Sequence, residues 1–178
     1  VDVYTGTNNV FANNVFYRVG GAGVRIHGGT VRTNRFVNNI LLSNAAIGIT
    51  NGTAASLTIW EYNDVAGHVN DYKNGGAFAV SNANISTDPL FSNAAAGNFR
   101  LRGPSPMSPA VDTGTTAGLT AYDATPVLGI ERDMGAYESG FSLPPAVVSN
   151  ASTGVKYTDF QAGVDAAVNG QTLHALSV

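Results

Sequence analysis

Asn13-Asn14-Val15, Asn38-Asn39-Ile40 and Asn63-Asp64-Val65 recur at an interval of 25 residues. Each copy is two amides, or an amide and a carboxylate, followed by a β-branched residue. Asn and Asp tolerate the left-handed backbone conformation that a sharp turn demands. The residue that follows each pair starts a strand. Neighbouring positions keep the same interval: Phe11 with Phe36, Phe16 with Leu41, Ala22 with Ile47, Gly23 with Gly48, Val24 with Ile49. Turn falls on turn and apolar on apolar. Such a period predicts a coil of short strands in which each repeat stacks on the last.

Within residues 1–91 short runs alternate, as in Val24-Arg25-Ile26-His27 and Ile47-Gly48-Ile49-Thr50. Period-two alternation assigns Val24, Ile26, Ile47, Ile49, Leu57, Ile59, Phe78 and Val80 to an inner face. It assigns Arg25, His27, Thr50, Thr58 and Trp60 to the outer one. Stacked strands lie about 4.8 Å apart, so like residues in successive turns touch. Asn14 over Asn39 over Asp64 is the expected ladder of side chains bonded along the axis. Ala66 to Gly76 reads as a looped-out insertion.

The bulk of the chain narrows the function classes. Of 178 residues only 12 % are charged, the net charge is −3, and the lysines are Lys73 and Lys156. That balance carries no footprint for nucleic acid or an anionic membrane surface. Twenty-one glycines suit turns and not helices. With no cysteine there are no disulfides or thiolate metal sites. No apolar run approaches roughly 18 residues, so no membrane span is read. The start at Val1 shows no charged segment leading into an apolar core, so no leader is read. The chain is expected to be a piece of a longer protein. Asn51, Asn84 and Asn150 head glycosylation triplets of a kind that arises by chance in an Asn-rich chain.

Past the repeat, residues 92–140 are rich in Pro, Gly and short apolar pieces and read as a closing segment that hides the last edge. Residues 141–156, with Pro144-Pro145, read as an extended linker. In 157–178 the period changes. Thr158 and Gln161 fit a capping box. Phe160, Val164, Ala167 and Val168 form one helical stripe, and Gly170 stops it. Thr172 to Val178 alternates like a strand.

Four blocks follow in order: Asp88-Pro89-Leu90-Phe91, Gly97-Asn98-Phe99-Arg100-Leu101, Ser105-Pro106-Met107-Ser108-Pro109-Ala110-Val111-Asp112-Thr113-Gly114, and Asp133-Met134-Gly135-Ala136-Tyr137-Glu138. Together they resemble the C-terminal part of bacterial right-handed parallel β-helix proteins of the choice-of-anchor Q type, relatives of the pectate-lyase-like proteins. The likeness covers roughly residues 30–138, and the third block departs from the usual run by an extra Ser-Pro step. Tyr157 to Val178 resembles the cap segment that opens many β-helix proteins, with Gly163 and Gln171 as departures. The resemblance implies an all-β fold: a right-handed parallel β-helix of few turns, an irregular C-terminal closure and one short α-helix near the C-terminus. It also implies an extracellular or cell-surface location. It implies no single activity, because the family mixes lyases, hydrolases and proteins without chemistry. A cap following a closure opens another expectation, self-association of 157–178 onto the edge at Val1–Tyr4 of a second copy.

Lyases on this fold use a basic side chain beside a uronate carboxylate, usually with a cation. Arg25, His27 and Lys73 are the basic candidates, against a reading of Arg25 and His27 as a solvated outer face. Trp60, Tyr62, His68 and Tyr72 are the candidates for contact with a polysaccharide, against a reading as an ordinary turn with amphipathic aromatics. Asp112, Asp133 and Glu138 could suggest glycoside hydrolysis, but Asp in such turns bonds backbone amides and fixes a closure. No cofactor is expected; calcium would need oxygen ligands gathered on stacked turns, and no clear cluster is visible. The leading expectation is a non-catalytic extracellular module, structural or glycan-contacting. The alternatives are a fragment of a polysaccharide lyase or glycoside hydrolase, and a carbohydrate-binding module.

Overall fold

Residues in the left-handed backbone region lay out the architecture. Asn8, Asn13 and Arg18 have φ of 59°, 55° and 51°, and Thr33, Asn38 and Ser43 repeat this at 53°, 55° and 52°. Tyr62 (53°), Gly67 (75°) and Ala83 (51°) continue the series. One such residue bends an extended chain sharply, and five-residue spacing leaves room for about three strand residues between corners. In a computed structural model, residues 1–4, 6–27, 33–52, 58–74, 78, 80–116, 126–129, 131–141, 148–157 and 160–175 are described. They divide into two units, Val1–Ser142 and Leu143–Val178.

In the first unit the strands are β1 (Asp2–Val3), β2 (Val10–Ala12), β3 (Val15–Tyr17), β4 (Val24–Ile26), β5 (Arg35–Val37), β6 (Ile40–Leu42), β7 (Ile47–Asn51), β8 (Ile59–Glu61), β9 (Asp64–Ala66), β10 (Asn70–Asn74) and β11 (Val80–Asn82). They form three sheets, ordered β1-β4-β7-β10, β2-β5-β8-β11 and β3-β6-β9. Every pairing within them is parallel. Strand numbers rise by three along each sheet, so the chain visits the three sheets in rotation. The protein is mostly β, with stacked parallel sheets, as the repeat requires. Phe11 pairs with Phe36, Phe16 with Leu41 and Val24 with Ile49, each at the interval read from the sequence.

One register departs from that reading. Ile26 pairs with Asn51, an interval of 25, but Arg35 pairs with Ile59 and Ile40 with Asp64, an interval of 24. The chain loses one residue per turn between Asn51 and Thr58. Tyr62, not Asn63, is therefore the left-handed corner equivalent to Asn38, and the interval shortens again further on, to 23 where Tyr72 pairs with Ile49 and to 21 where Val80 pairs with Ile59. Trp60 pairs with Phe36, is fully buried, and stands in an interior row Phe11–Phe36–Trp60–Phe78. Ring centroids along this row are 4.5, 5.2 and 5.6 Å apart. This corrects the outer-face assignment of Trp60. Thr58, also expected outside, is fully buried. Ile59, expected inside, is half-buried beside Arg35. Val24, Ile26 and Ile49 lie in the core as expected, and Arg25 is exposed. Ala66 to Gly76 is no looped-out insertion: β10 lies within it and pairs with β7 over Asn70–Asn74. Leu57, Ala77 and Ala79 fall outside the described residues, and so does the side chain of Val80.

The closing segment packs along a flank of the coil. β12 (Phe91–Asn93), a 3-10 turn (Ala94–Ala96) and β13 (Asn98–Leu101) make an antiparallel hairpin. Phe91, Leu101, Ala110, Val111 and Met134 bury against Ile40, with Val15 and Leu42 beside them. These three alternate away from the interior residues Phe16 and Leu41, so β3 and β6 are apolar on both faces of the sheet. Asn38 ties the segment down: its side chain donates to Thr115 O (3.0 Å) and accepts from Thr115 N (2.9 Å), while Gly135 N donates to Asn38 O (2.7 Å). Gly135 has φ +94°, and a Cβ there would stand 2.9 Å from Ile40 Cδ1; glycine is the residue that fits.

The second unit holds β14 (Val148–Asn150), β15 (Lys156–Tyr157), α1 (Phe160–Ala166) and β16 (Leu173–Ala175). β14 is the middle strand, antiparallel to both others. The stretch expected to be linker thus contains β14 and the first residue of β15. Asn150 organises it, donating to Gln171 Oε1 (2.8 Å) and accepting from Ser152 N (3.0 Å) and Thr153 N (3.2 Å). The expected helix is present. Its expected cap at Thr158, residues 176–178 of the terminal strand, and Pro144-Pro145 lie outside the described residues.

Candidate functional site

The corner amides come first, because they set where every other polar group goes. Asn39 Oδ1 accepts from Asn14 N (3.1 Å) and Asn14 Nδ2 (3.0 Å), while Asn39 Nδ2 donates to Phe11 O (2.9 Å). Asn63 Oδ1 takes the same two bonds from Asn39 (3.0 and 2.9 Å), and Asn84 Oδ1 takes them from Asn63 (2.9 and 3.2 Å). The ladder is Asn14–Asn39–Asn63–Asn84. This corrects the expected third rung, Asp64: the lost residue puts Asn63 at the rung and Asp64 one place along, opposite Ile40. Two further corners are built alike. Asn34 Oδ1 accepts from Asn9 N (3.0 Å) and Nδ2 (2.9 Å), and Asn44 Oδ1 accepts from Val19 N (2.9 Å). Asn8-Asn9 against Thr33-Asn34, at the same interval, was the signal for the first of these.

His68 continues the third corner. Asn44 Nδ2 donates to His68 Nε2 (3.3 Å), which leaves Nδ1–H to donate to Asp71 Oδ1 (2.8 Å). The network therefore places a proton on Nδ1, facing Asp71. The His68 side chain has no exposure. Asp71 also accepts from His68 N (3.2 Å) and Ser86 Oγ (2.7 Å). Burial works to raise the Asp71 carboxyl, but the bonds from Ser86 and His68 outweigh it and hold it below its ordinary range. Ser, acid and imidazole meet here with the acid in the middle. A nucleophile needs the imidazole in the middle, so this group braces the corner and does not activate Ser86.

Asp64 is fully buried. Its Oδ1 accepts from Thr87 N (3.1 Å), and its Oδ2 has no hydrogen-bond partner. Burial pushes this carboxyl up to about 7; the Thr87 bond opposes the shift, and the charges of Asp88 and Asp71 add to it. Tyr72 packs edge-on to Trp60 and accepts a long bond from its Nε1 (3.4 Å); burial raises its phenol. Tyr62 sits at a corner against the closing segment. The four residues expected to contact sugar are thus dispersed. Trp60 and His68 offer no surface, Tyr72 covers Trp60, and Tyr62 faces another core.

The basic candidates do gather. Register places Asp2 beside Arg25, Arg25 beside Thr50, and Thr50 beside Lys73. Arg25 and Lys73 are exposed on one face of the β1–β4–β7–β10 sheet, two strands or about 10 Å apart. His27, two residues along from Arg25, is tied to Asp2 and meets Tyr4 edge-on at 5.1 Å.

The acids of the closing segment form a buried knot. Asp133 accepts from Asp112 N (2.8 Å) and Ser139 N (2.6 Å), and Arg132 Nη1 donates to Glu138 Oε1 (2.9 Å). Burial raises the Asp133 carboxyl, against its backbone bonds. Burial also pushes Glu138 up to about 7; Asp133 adds to the shift and Arg132 opposes it. Arg132, Asp133 and Glu138 are buried, so a glycosidic bond has no path between two of these acids. Among the described residues no three of His, Asp or Glu converge as a metal site would require. No described helix is long and apolar enough to cross a membrane. Asn51 and Asn150 of the glycosylation triplets are buried, and Asn84 Nδ2 is bonded to Trp60 O (2.9 Å).

Compared with family models, curated proteins and solved structures, the chain matches none.

Proposed function

We propose that this chain is a right-handed parallel β-helix module of the choice-of-anchor Q kind, secreted or on a cell surface, with a structural or glycan-contacting role. One observation carries the reading: buried His68, Asp133 and Glu138, and half-buried Asp71, are bonded into the scaffold and oriented as braces. Parallel sheets with bonded corners and a mixed outer face suit a spacer or a contact surface. A panel of acidic and neutral polysaccharides, assayed for released reducing or unsaturated sugar, tests this. The module should give no turnover, and sugar release above the level of heat-denatured protein would sink the reading.

The column of Arg25, Thr50 and Lys73 favours a second reading, a fragment of a polysaccharide lyase or hydrolase. An exposed pair of cations on a rigid sheet is where a uronate would dock. If turnover is found, Arg25→Ala or Lys73→Ala should abolish it. Association through the ends belongs to the same proposal. Tyr4 and Val10 near the β1 and β2 edge are 64 % and 56 % exposed, and Val168 of the helical stripe is 66 % exposed. Light scattering on a concentration series should then show growth in mass, which Val168→Asp reduces. A strictly monomeric chain at every concentration would remove the self-association.

A further inference from the structure

A cleft of about 270 Å³ opens between the third corner and the closing segment. Tyr17, Leu42, Leu90 and Phe91 give it an apolar floor, and Asp88 and Arg102 line it as well. Unlike charges that share a cleft usually close into an ion pair. Here Asp88 and Arg102 form no ion pair with each other, and the chain at each is held by hydrogen bonds. Asp88 Oδ1 accepts from Leu90 N (2.9 Å). Arg102 N donates to Leu90 O (3.0 Å), and Arg102 O accepts from Ser108 N (2.9 Å). The guanidinium of Arg102 has no carboxylate partner among the described residues, although Asp88 lines the same space. Such a gap suits a molecule that carries both charges itself.

We propose that this cleft binds a small zwitterion with an apolar side chain, of the class of a free apolar α-amino acid. The ammonium pairs with Asp88, the carboxylate with Arg102, and the side chain lies on Leu42, Leu90 and Phe91. Size agrees. At about 270 Å³ the cleft has room for a molecule of leucine's size.

The test is titration of the full-length, isotope-labelled chain with L-leucine, followed by amide chemical shifts. Isocaproate, lacking the ammonium, and isoamylamine, lacking the carboxylate, are titrated alongside. Saturable shifts at Leu42, Leu90, Phe91 and Arg102 are expected. Each one-headed analogue should bind at least about tenfold more weakly, the worth of one charged hydrogen bond. Arg102→Gln should weaken leucine by a similar factor while leaving isoamylamine unchanged, and Asp88→Asn should do the converse. Both residues are exposed, and the amide spectrum itself reports whether each variant is folded. No saturable shift with leucine would overturn the proposal, and so would isocaproate binding as well as leucine. Either result stands apart from the polysaccharide assay.

Discussion

The corner amide of Asn39 serves four groups with two atoms. Asn39 Oδ1 satisfies two donors of the preceding turn, and its Nδ2 satisfies Phe11 O and Asn63 Oδ1 of the next. Asn39 is fully buried, so water cannot replace it. Asn39→Ala should lower stability by about 3 kcal/mol, one to three for each buried group orphaned; chemical denaturation of the two proteins measures this. Asp64 predicts a pH dependence. Its folded pKa is raised, to about 7, so its contribution is fully present below the unfolded value near 4 and fades as pH rises through about 7. Glu138 and Asp133 act in the same direction and Asp71 in the opposite one. On the Asp64 shift alone the protein should be about 2–3 kcal/mol more stable at pH 5 than at pH 8. Melting curves at the two values check it, and Asp64→Asn should reduce the difference, leaving the part that Glu138 and Asp133 contribute. This carboxyl was visible in the sequence only as a member of the repeat. Its burial came from a one-residue contraction that no local pattern announced.

At the scale of the element, the closing segment depends on a close approach. Gly135→Ala would press a methyl on Ile40 at a left-handed φ, a cost of about 2–3 kcal/mol. Limited proteolysis should then cut within residues 92–141 while the coil stays folded. Cleavage unchanged from the parent chain would contradict the flank packing. The sequence showed the blocks of this segment and their Gly and Asp turns, but not their partner. Ile40 and Leu42 looked like ordinary strand residues, and nothing local says that a sheet is apolar on both faces. The parallel strands β2 to β7 were legible because Phe11/Phe36 and Val24/Ile49 keep one interval. β8 was misread because alternation in Leu57-Thr58-Ile59-Trp60 favours an inner Ile59. The chain instead buries Trp60, whose larger area continues the Phe11–Phe36 row. β14 was missed because three residues between Pro-rich and Ser-rich stretches carry no periodic signal.

Across the whole first unit, the account rests on one arrangement: three parallel sheets visited in rotation, with residues 25 apart side by side where β2, β3 and β4 meet β5, β6 and β7. The chain contains no cysteine, which makes cross-linking a clean probe. Arg25 and Thr50 are register partners on the exposed face of β4 and β7, whereas Ile49 points into the core beside Val24. Parallel neighbours at about 4.8 Å lie within disulfide reach, and side chains on opposite faces do not. The direct measurement is the extent of disulfide formation in Arg25→Cys/Thr50→Cys compared with Arg25→Cys/Ile49→Cys under mild oxidant. Near-complete, intramolecular closure of the first pair and little of the second is the predicted result. Equal closure of both, or none of the first in a folded protein, would contradict the stacked parallel coil.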